Sequence, residues 1–431
     1  MPKPEVTDRS VGFLKKNLET MLQKKRLEYL NQKLRGIIQY AYKNSQAFKN
    51  KMDSAGLKPK DIQTTKDLEK IPITKKADLV ELQKKNPPFG GFEGVPITEM
   101  RRIFISPGPI YEPGEMEYVE LGWAQGMYAG GFRPGDIVIN TFSYHMVPFA
   151  LHMVDNSLHR IGCVSIPTGV GNTEQQIHIL KHLKATGFCG TPSFLLNIAE
   201  KAEEMGFDLK KDLNLKVGFV AAEMLPESLR SKLEEKFGMI IRQTYGTADV
   251  GCLGYECMKK NGMHIPDDKI VEIVDPKTGK QLGPGKTGEI VATTFNKIYP
   301  LIRFGTGDLS ILTETPCPCG RTSPRLLKIL GRVDQVTKVR GLFVHPGQVD
   351  EVASRYPQIA KYHVVVTRRD QKDEMTFRIE LKEEGLQPEK LKEEIESSIR
   401  DVMKLRGNVQ FTPKGTIPEG AKKIEDQRTW E

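Results

Sequence analysis

The chain has 431 residues, of which 38% are hydrophobic and 28% charged, with a formal net charge of +9. No stretch approaches the roughly 20 apolar residues of a membrane-spanning helix, and the N-terminal segment has no apolar core of a secretion signal. Lys and Arg are interleaved with Asp and Glu, which is typical of solvated helix faces rather than of nucleic-acid-binding surfaces. We therefore expect a cytoplasmic protein with no membrane partner and no nucleic-acid partner.

The first two thirds of the chain predict an α/β domain. Residues 11–46 show apolar side chains at the spacings of amphipathic helices, which could mediate dimerisation but are favoured to pack on their own domain. From about residue 115 to 300, β-branched runs such as DIVINTF and KVGFVAA alternate with helical segments such as TEQQIHILKHLKA. This alternation predicts a parallel sheet covered by helices, with ligands at the carboxyl ends of the strands.

The remaining stretches predict antiparallel structure. KIVEIVDPKTGKQLGPGKTGEIVATTF reads as two strands joined by a Pro- and Gly-rich hairpin. After residue 331, the order strand, hairpin, helix and strand predicts a small α+β domain. We therefore expect an α/β fold with a large N-terminal domain over residues 1–331 and a mobile C-terminal domain over residues 332–431.

Four motifs occur in the order found in the AMP-forming acyl-CoA synthetases: TYGTADVG, YPLIRFGTGDL, GRVDQVTKVRGLFVHPGQVDE and the tail PKGTIPEGAKK. Each is weak alone, but the four together resemble that adenylate-forming superfamily. RGIIQYAYKNSQAFKNK, IPITKKADL and GTPSFLLNIAEKAEEMG are similar to its phenylacetate–CoA ligase branch, so the resemblance covers nearly the whole chain.

The resemblance implies a two-step ligase. A carboxylate attacks the α-phosphorus of ATP to give an acyl-adenylate and pyrophosphate, and the thiol of CoA then displaces AMP. The expected ligands are an aromatic or other organic acid, ATP with Mg²⁺, and CoA, and relatives suggest a homodimer. Attack by a weak nucleophile on a polyphosphate requires charge neutralisation and tight positioning, and the motifs are judged against that need.

The resemblance assigns the nucleotide site to the central motifs. Asp308 matches the carboxylate that accepts hydrogen bonds from both ribose hydroxyls, although an Asp after Gly also caps turns. Tyr245 matches a Tyr that stacks on adenine, and Asp249 falls where the family has a Glu that helps to hold Mg²⁺. The other expected nucleotide contacts are Ala222, the backbone of Glu223, Gly246, Thr247 and Arg332.

The C-terminal motifs imply the moving parts. Asp334 matches the hinge about which the small domain turns between the half-reactions. Gly341 matches a Gly beside which the CoA arm passes, with an ordinary turn as the alternative. The family also has a tail Lys that bridges carboxylate and phosphate during adenylation. Ungapped alignment places Gly420 there, and a short shift offers Lys422 or Lys423.

The segment SPGPIYEP, residues 106–113, takes the position of the family's phosphate loop, Ser-Ser-Gly-Thr-Thr-Gly-Lys-Pro. It keeps Ser106, Gly108 and Pro113, whereas two other prolines remove backbone donors and Glu112 replaces the cation of the family's Lys with an anion. At an effective dielectric constant near 20, a like charge some 4 Å from a phosphate costs about 4 kcal/mol before screening. The sequence therefore predicts a degenerate loop of Gly and Pro that does not hold triphosphate as relatives do.

Three interpretations follow from this loop. ATP is bound by the other motifs and Mg²⁺, so that the chain is a ligase; or the chain binds AMP or an acyl-adenylate without making it well; or it is a catalytically silent binding or assembly subunit. Glu112 and the missing tail Lys favour a non-catalytic or impaired relative. The joint retention of Tyr245, Asp308, Arg332 and Asp334 favours the ligase, which is the main prediction.

A separate constellation consists of Cys257, His264, Cys317 and Cys319. Three thiols and one imidazole suit tetrahedral Zn²⁺, while free buried cysteines are the alternative and Cys252 is a competing candidate. The branch shares the pattern EC…GxH…CPCGR, so the resemblance implies a structural zinc ion without a catalytic role.

The resemblance also places an aryl pocket after a predicted strand, in SYHMVPFA. We expect Tyr144, His145 and Phe149 to face the substrate there. A single His in an apolar segment is more often a hydrogen-bonded core residue than a catalyst, so both alternatives stay open for His145.

Overall fold

The computed structural model describes residues 8–106, 110–114, 121–333, 337–344, 346–382 and 388–428. These residues form two compact units. The first unit contains the described residues from 8 to 221 and from 230 to 333, and the second contains residues 222–229 with the described residues from 337 to 428. Within these ranges, no helix is both long enough and apolar enough to cross a membrane.

The helices and strands up to residue 333 are as follows. The helices are α1 (Lys16–Glu19), α2 (Gln23–Asn44), α3 (Gln46–Ser54), α4 (Lys76–Lys85), α5 (Leu121–Ala129), α6 (Asn156–Ile161), α7 (Thr173–His182), α8 (Pro192–Glu204) and α9 (Glu227–Phe237), with 3₁₀ helices at Pro59–Asp61, Thr65–Lys70 and Ile97–Glu99 and a π-helix at Phe149–Asp155. The strands are β1 (Thr74–Lys75), β2 (Arg102–Ser106), β3 (Ile110–Gly114), β4 (Ile137–Asn140), β5 (Val164–Pro167), β6 (Gly187–Gly190), β7 (Val217–Val220), β8 (Ile240–Thr247), β9 (Gly251–Glu256), β10 (Met263–His264), β11 (Lys269–Val274), β12 (Thr287–Thr294), β13 (Phe304–Thr313) and β14 (Arg325–Arg332).

One large sheet organises the first unit, in the order β11-β12-β13-β14-β10-β9-β8-β7-β6-β4-β5, with β1 paired to β13. The strands from β5 to β8 in that order are parallel, and the strands from β8 to β11 are antiparallel. Every residue of β6 and β7 is buried, as expected of parallel strands covered on both faces. The predicted α/β fold and the antiparallel hairpin of β11 and β12 are confirmed.

Local sequence chemistry fixes the helix starts at the carboxyl edge of this sheet. After β6, Thr191 takes the N-cap position of α8, and its hydroxyl accepts a hydrogen bond from the backbone N–H of Phe194 at 3.2 Å. Pro192 occupies the first helical turn, where its missing N–H costs nothing. The short connection from strand to helix is therefore specified by two consecutive residues, Thr191 and Pro192.

The N-terminal helices pack within the first unit. Leu34, Ile38 and Ala41 of α2 are completely buried and belong to one apolar cluster with Phe48 and Met52 of α3. The apolar spacing of residues 11–46 thus serves the core of its own unit, as the favoured interpretation predicted.

One prediction for the fold is wrong. The residues after Ser106 were expected to form a loop, but β3 begins at Ile110 and pairs antiparallel with β2, so that Glu112 lies opposite Phe104. Only residues 107–109, including Gly108, lie outside the described residues of this hairpin. Pro113 is tolerated because a two-stranded hairpin has open edges that need no donor from every residue.

The second unit is a small α+β unit. Its elements are β15 (Thr337–Val339), β16 (Leu342–Val344), α10 (Pro346–Ser354), β17 (Ile359–Arg369), β18 (Lys372–Leu381), α11 (Pro388–Met403), β19 (Asn408–Phe411) and β20 (Ile424–Asp426). The main sheet has the order β19-β18-β17-β20. Ile395 and Ile399 of α11 share a core with Val364 and Phe377 of this sheet. The predicted order of strand, hairpin, helix and strand is confirmed.

Candidate active site

The first part of the site lies where β8, β13 and β14 run together. The hydroxyl of Tyr245 donates a hydrogen bond to Oδ2 of Asp308 at 2.7 Å and lies 3.3 Å from the hydroxyl of Thr306. Arg332 is the register partner of Asp308 in the ladder of β13 and β14. We call Tyr245, Thr306 and Asp308 the tyrosine site, to which the fold brings the backbone of Arg332 as well.

The rest of the YGTAD motif is held by backbone packing. A Cβ added to Gly246 would lie 2.4 Å from the carbonyl oxygen of Gly251, so the close approach of β8 and β9 requires glycine. The hydroxyl of Thr247 accepts a hydrogen bond from the N–H of Val250 at 3.3 Å. These contacts shape the turn that carries Asp249.

The second part of the site is built around the Asp249 carboxylate. Its side chain is fully buried, and its Oδ2 lies 2.5 Å from Nζ of Lys76, the first residue of α4. Lys76 was not predicted as a site residue. Its only signal in the sequence was its place in IPITKKADL, one of the stretches similar to the phenylacetate–CoA ligase branch.

Glu112 lies beside this ion pair rather than in a loop. The side chain is 4% exposed, and its Oε1 accepts a hydrogen bond from the hydroxyl of Ser106 across the hairpin at 2.6 Å. Burial first, and then the negative charge of Asp249, raise the pKa of Glu112 to about 8, although Lys76 and Ser106 act in the opposite sense. The prediction that Glu112 is an anion is therefore corrected, because a carboxyl with this pKa is mostly protonated at pH 7. We call Lys76, Ser106, Glu112 and Asp249 the carboxylate cluster.

Helix α4 holds both halves of the carboxylate cluster. Lys76 is the first residue of the helix and contacts Asp249. Gln83 lies two turns later on the same face and is hydrogen-bonded to β3. The amide of Gln83 donates to the carbonyl oxygen of Tyr111 and accepts from the N–H of Tyr111, both at 2.8 Å. One helix therefore fixes the hairpin next to Glu112 and the turn at Asp249.

A cavity of about 40 Å³ adjoins the carboxylate cluster. It is lined by Phe104, Glu112, Pro113, Pro148, His152, Met153, Ala248, Asp249, Asn296 and Tyr299. Burial lowers the pKa of His152, so this ring is neutral at pH 7. His152 comes from the π-helix, an irregular element that occurs frequently at functional sites.

The predicted metal ligands Cys257, His264, Cys317 and Cys319 lie together in the first unit, with their ligand atoms within 4.8 Å of one another. The sulfur of Cys319 lies 3.4 Å from Nε2 of His264, and the sulfurs of Cys257 and Cys317 are 3.8 Å apart. Cys252 is not part of this group, since its sulfur contacts the hydroxyl of Thr244 and the carbonyl oxygen of Gly254.

Comparisons with known proteins found matches over both units of the chain. The family model described as AMP-binding enzyme matches residues 120–296, and that of the AMP-binding enzyme C-terminal domain matches residues 341–428. The phenylacetate–CoA ligase of Thermus thermophilus is 31% identical over 94% of this chain and 97% of its own length. The Escherichia coli phenylacetate–CoA ligase is 31% identical over 82% of each chain.

The chain belongs to the phenylacetate–CoA ligase family of AMP-binding enzymes. It is an AMP-forming acid–CoA ligase that works through an acyl-adenylate. A solved structure of 2-hydroxyisobutyryl-CoA ligase with 2-HIB-AMP and CoA superposes with a TM-score of 0.87 at 25% identity, covering 96% of this chain and 92% of that chain. Its bound adenylate and CoA agree with a ligase that uses both ligands.

The residues expected in the aryl pocket of this ligase have distinct environments. The hydroxyl of Tyr144 donates to the carboxylate of buried Asp155 at 2.9 Å, and burial together with that charge raises the pKa of Tyr144. Phe149 packs edge-on against Trp123 and Phe142, with ring centroids 4.9 and 4.5 Å away. His145 is exposed and does not line the described cavity, whereas His152, which the sequence did not single out, does.

In the second unit of the ligase, Lys422 and Lys423 are the two candidates for the family's tail lysine. Lys423 has its Nζ 3.1 Å from Oδ1 of Asp350 and 4.0 Å from the ring centroid of Tyr362, whereas Lys422 is exposed. Lys422 is therefore the better prediction for a lysine that must reach a ligand.

The remaining predicted positions of the second unit are backbone features. Gly341 has φ of +81° in the turn between β15 and β16, which favours glycine. Ala222, next to Glu223, has φ of +72°, a conformation that residues with a side chain rarely adopt and that occurs at functional sites. The hinge residue Asp334 lies outside the described residues.

Proposed function

We propose that this ligase activates an aromatic acid with ATP and Mg²⁺ and transfers the acyl group to CoA. The observation that carries the proposal is the tyrosine site, because Tyr245 holds a buried Asp308 in place opposite Arg332. A carboxylate fixed in this way can accept one hydrogen bond from each ribose hydroxyl, since its two oxygens offer about four acceptor positions.

The acid is assigned from the aromatic side chains of the first unit. Phe142, Phe149 and Trp123 form an edge-to-face cluster beside the strand end where the aryl pocket is expected. Such clusters accommodate a further ring with favourable edge-on geometry. The named relatives from Thermus thermophilus and Escherichia coli, both phenylacetate–CoA ligases, support the same class of acid.

The roles of the other residues follow from the two half-reactions. Asp249 has the oxygen donors that suit Mg²⁺, which supplies charge neutralisation for the polyphosphate when bound. Lys422 provides a cation between the carboxylate and the phosphate during adenylation. Asp334 is then the hinge before thioester formation, and Gly341 leaves room for the CoA arm.

The non-catalytic alternative is not favoured. It rested on Glu112 as an anion that repels phosphate, but this carboxyl is buried, bonded to Ser106 and mostly protonated at pH 7. Its second support was the missing tail Lys, and Lys422 is exposed within a short shift of the expected position. Both objections to a ligase are thereby weakened.

The direct test is product formation. Purified protein is incubated with ATP, Mg²⁺, CoA and one acid from a panel of phenylacetate, benzoate, 2-hydroxyisobutyrate and acetate, and acyl-CoA and AMP are measured by mass spectrometry. We expect both products in equal amounts with an aromatic acid, and little product without CoA. Thioester from acetate alone would contradict the assignment of an aromatic acid.

We also assign a structural Zn²⁺ to the Cys and His cluster. Backbone N–H groups of Lys259 and Arg321 point at the sulfurs of Cys257 and Cys319, at 3.4 and 3.5 Å, and the hydroxyl of Ser323 lies 3.3 Å from Nδ1 of His264. Such outer contacts orient thiolate and imidazole ligands. We expect one zinc per chain by elemental analysis, lost in Cys319→Ser together with a lower melting temperature but retained in Cys189→Ser. Fresh protein without zinc would overturn this assignment.

The proposal includes a homodimer in the cytoplasm, as the resemblance to relatives suggested. Light scattering of the purified protein measures the first property, and fractionation of cells that express it measures the second. A monomer, or a protein recovered outside the cytoplasm, would contradict the corresponding part.

A further inference from the structure

Two carboxylate oxygens at the carboxylate cluster have no hydrogen-bond partner among the described residues. They are Oε2 of Glu112 and Oδ1 of Asp249. The other oxygen of each group is engaged, by Ser106 and by Lys76 respectively. Because Glu112 is 4% exposed and the Asp249 side chain is fully buried, water from the bulk does not satisfy these oxygens. Buried polar atoms without partners are uncommon, and a bound ion or an ordered water is one explanation for them.

Both residues line the same cavity of about 40 Å³. A single water needs roughly 10–15 Å³ of such space, so this cavity has room for a small ion together with water. The cavity also has the side chains of Asn296 and Tyr299 in its wall, which offer further oxygen atoms. Carboxylate, amide and phenol oxygens are ligands that hard cations such as Mg²⁺ accept more readily than softer metals do.

The charge of the cluster points the same way. The cluster combines two carboxyl groups with one ammonium group, so its side chains carry no excess of positive charge that would repel a divalent cation. In the family's phosphate loop the position of Glu112 carries a Lys, which supplies positive charge.

We propose that Glu112 and Asp249 together hold a hard divalent cation, Mg²⁺, which supplies at the hairpin the positive charge that a lysine supplies in the family's phosphate loop. The ion is bound by the protein itself and precedes the nucleotide. Lys76 is a positioning residue, since it binds Oδ2 of Asp249 and leaves Oδ1 without a partner among the described residues. The use of the ion in catalysis rests on the proposed function, whereas its binding does not.

The test measures cation binding without nucleotide. Full-length, zinc-replete protein is titrated with Mn²⁺, whose free concentration is followed by electron paramagnetic resonance, and bound Mn²⁺ is then displaced with Mg²⁺. We expect one Mn²⁺ per chain that Mg²⁺ displaces. Glu112→Gln should weaken Mn²⁺ binding by about tenfold or more, Glu112→Asp less, and Glu99→Gln, an exposed control on a nearby segment, not at all.

The outcomes separate this inference from the proposed function. Equal Mn²⁺ affinity in Glu112→Gln and the parent, or no bound Mn²⁺ in the parent, would overturn the cation site even if acyl-CoA is formed. Mn²⁺ binding that depends on Glu112, without acyl-CoA from any acid, would overturn the ligase assignment alone. Melting curves of each variant establish that it is folded, and Glu112→Asp keeps a carboxylate in case the Gln variant is unstable.

Discussion

The tyrosine site and the carboxylate cluster differ in how the chain builds them. The residues of the tyrosine site belong to two sequence motifs, and both motifs lie on strands of one sheet. Regular strand geometry therefore brings Tyr245 and Asp308 together. The carboxylate cluster joins the start of α4, the β2–β3 hairpin and the turn after β8. Sequence motifs identify a site when the residues of that site belong to the motifs. They do not identify a site whose residues come from separate segments without a motif.

The largest effect is expected from breaking the carboxylate cluster at Lys76. Lys76→Met leaves a buried Asp249 without its ion partner, and removal of one partner of a buried pair costs about 3–5 kcal/mol. Chemical denaturation of the first unit measures this loss of unfolding free energy. The exposed neighbour serves as control, since Lys75→Met should change stability by less than about 0.5 kcal/mol. Equal effects of the two variants would show that the ion pair is not what stabilises the cluster.

The next effect concerns the tyrosine site. Asp308→Asn keeps the size of the side chain but replaces the carboxylate, which is proposed to accept hydrogen bonds from both ribose hydroxyls, with a neutral amide. A loss of about 3 kcal/mol in these hydrogen bonds corresponds to roughly a 100-fold lower kcat/KM for ATP. The parent should also discriminate against 2′-deoxy-ATP, and the variant should lose this discrimination. Unchanged discrimination would mean that Asp308 does not contact the ribose.

The pH dependence of stability should also distinguish the two regions. The pKa of Glu112 is raised from 4.5 to about 8 in the folded chain, so between these values the unfolded chain releases a proton that the folded chain keeps. Stability should therefore fall as pH rises through this window and stay level above it. In Mg²⁺-free buffer, the melting temperature of the parent should fall relative to that of Glu112→Gln between about pH 5 and pH 8. Parallel curves would contradict the raised pKa.

The smallest effect is expected from Tyr245→Phe. This change removes the hydrogen bond to Asp308 but keeps the ring for stacking on adenine. One such bond contributes about 1 kcal/mol, so kcat/KM for ATP should fall only about fivefold. Tyr245→Leu, which removes the ring as well, should cost clearly more, and equal losses would argue against stacking.

Much of the fold was predictable because local patterns and the global fold agree. The parallel strands of the first unit are short apolar runs between amphipathic helices, and β4, β5 and β7 are rich in β-branched residues. The hairpin was missed because Gly and Pro near residues 107–114 read as a loop. The extended conformation of β3 depends on its pairing with β2 and on its hydrogen bonds to Gln83. Local sequence propensity does not predict such tertiary contacts.

The candidate site divides in the same way. Tyr245 and Asp308 were predicted from motifs, and the four Cys and His residues were predicted together and do lie together. Lys76 and His152 were missed, because neither has a spacing that signals a site, and each gains significance only from tertiary contacts. The burial of Glu112 could not be predicted either, because the presence of a Glu in a sequence does not indicate whether its side chain is desolvated.

The measurement that tests the central claim most directly is ATP–pyrophosphate exchange without CoA, because it isolates activation of ATP at the altered hairpin. We predict exchange that requires both Mg²⁺ and an added aromatic acid, and that falls in Asp308→Asn. AMP binding by calorimetry with no exchange for any acid of the panel would contradict the claim that this ligase activates ATP.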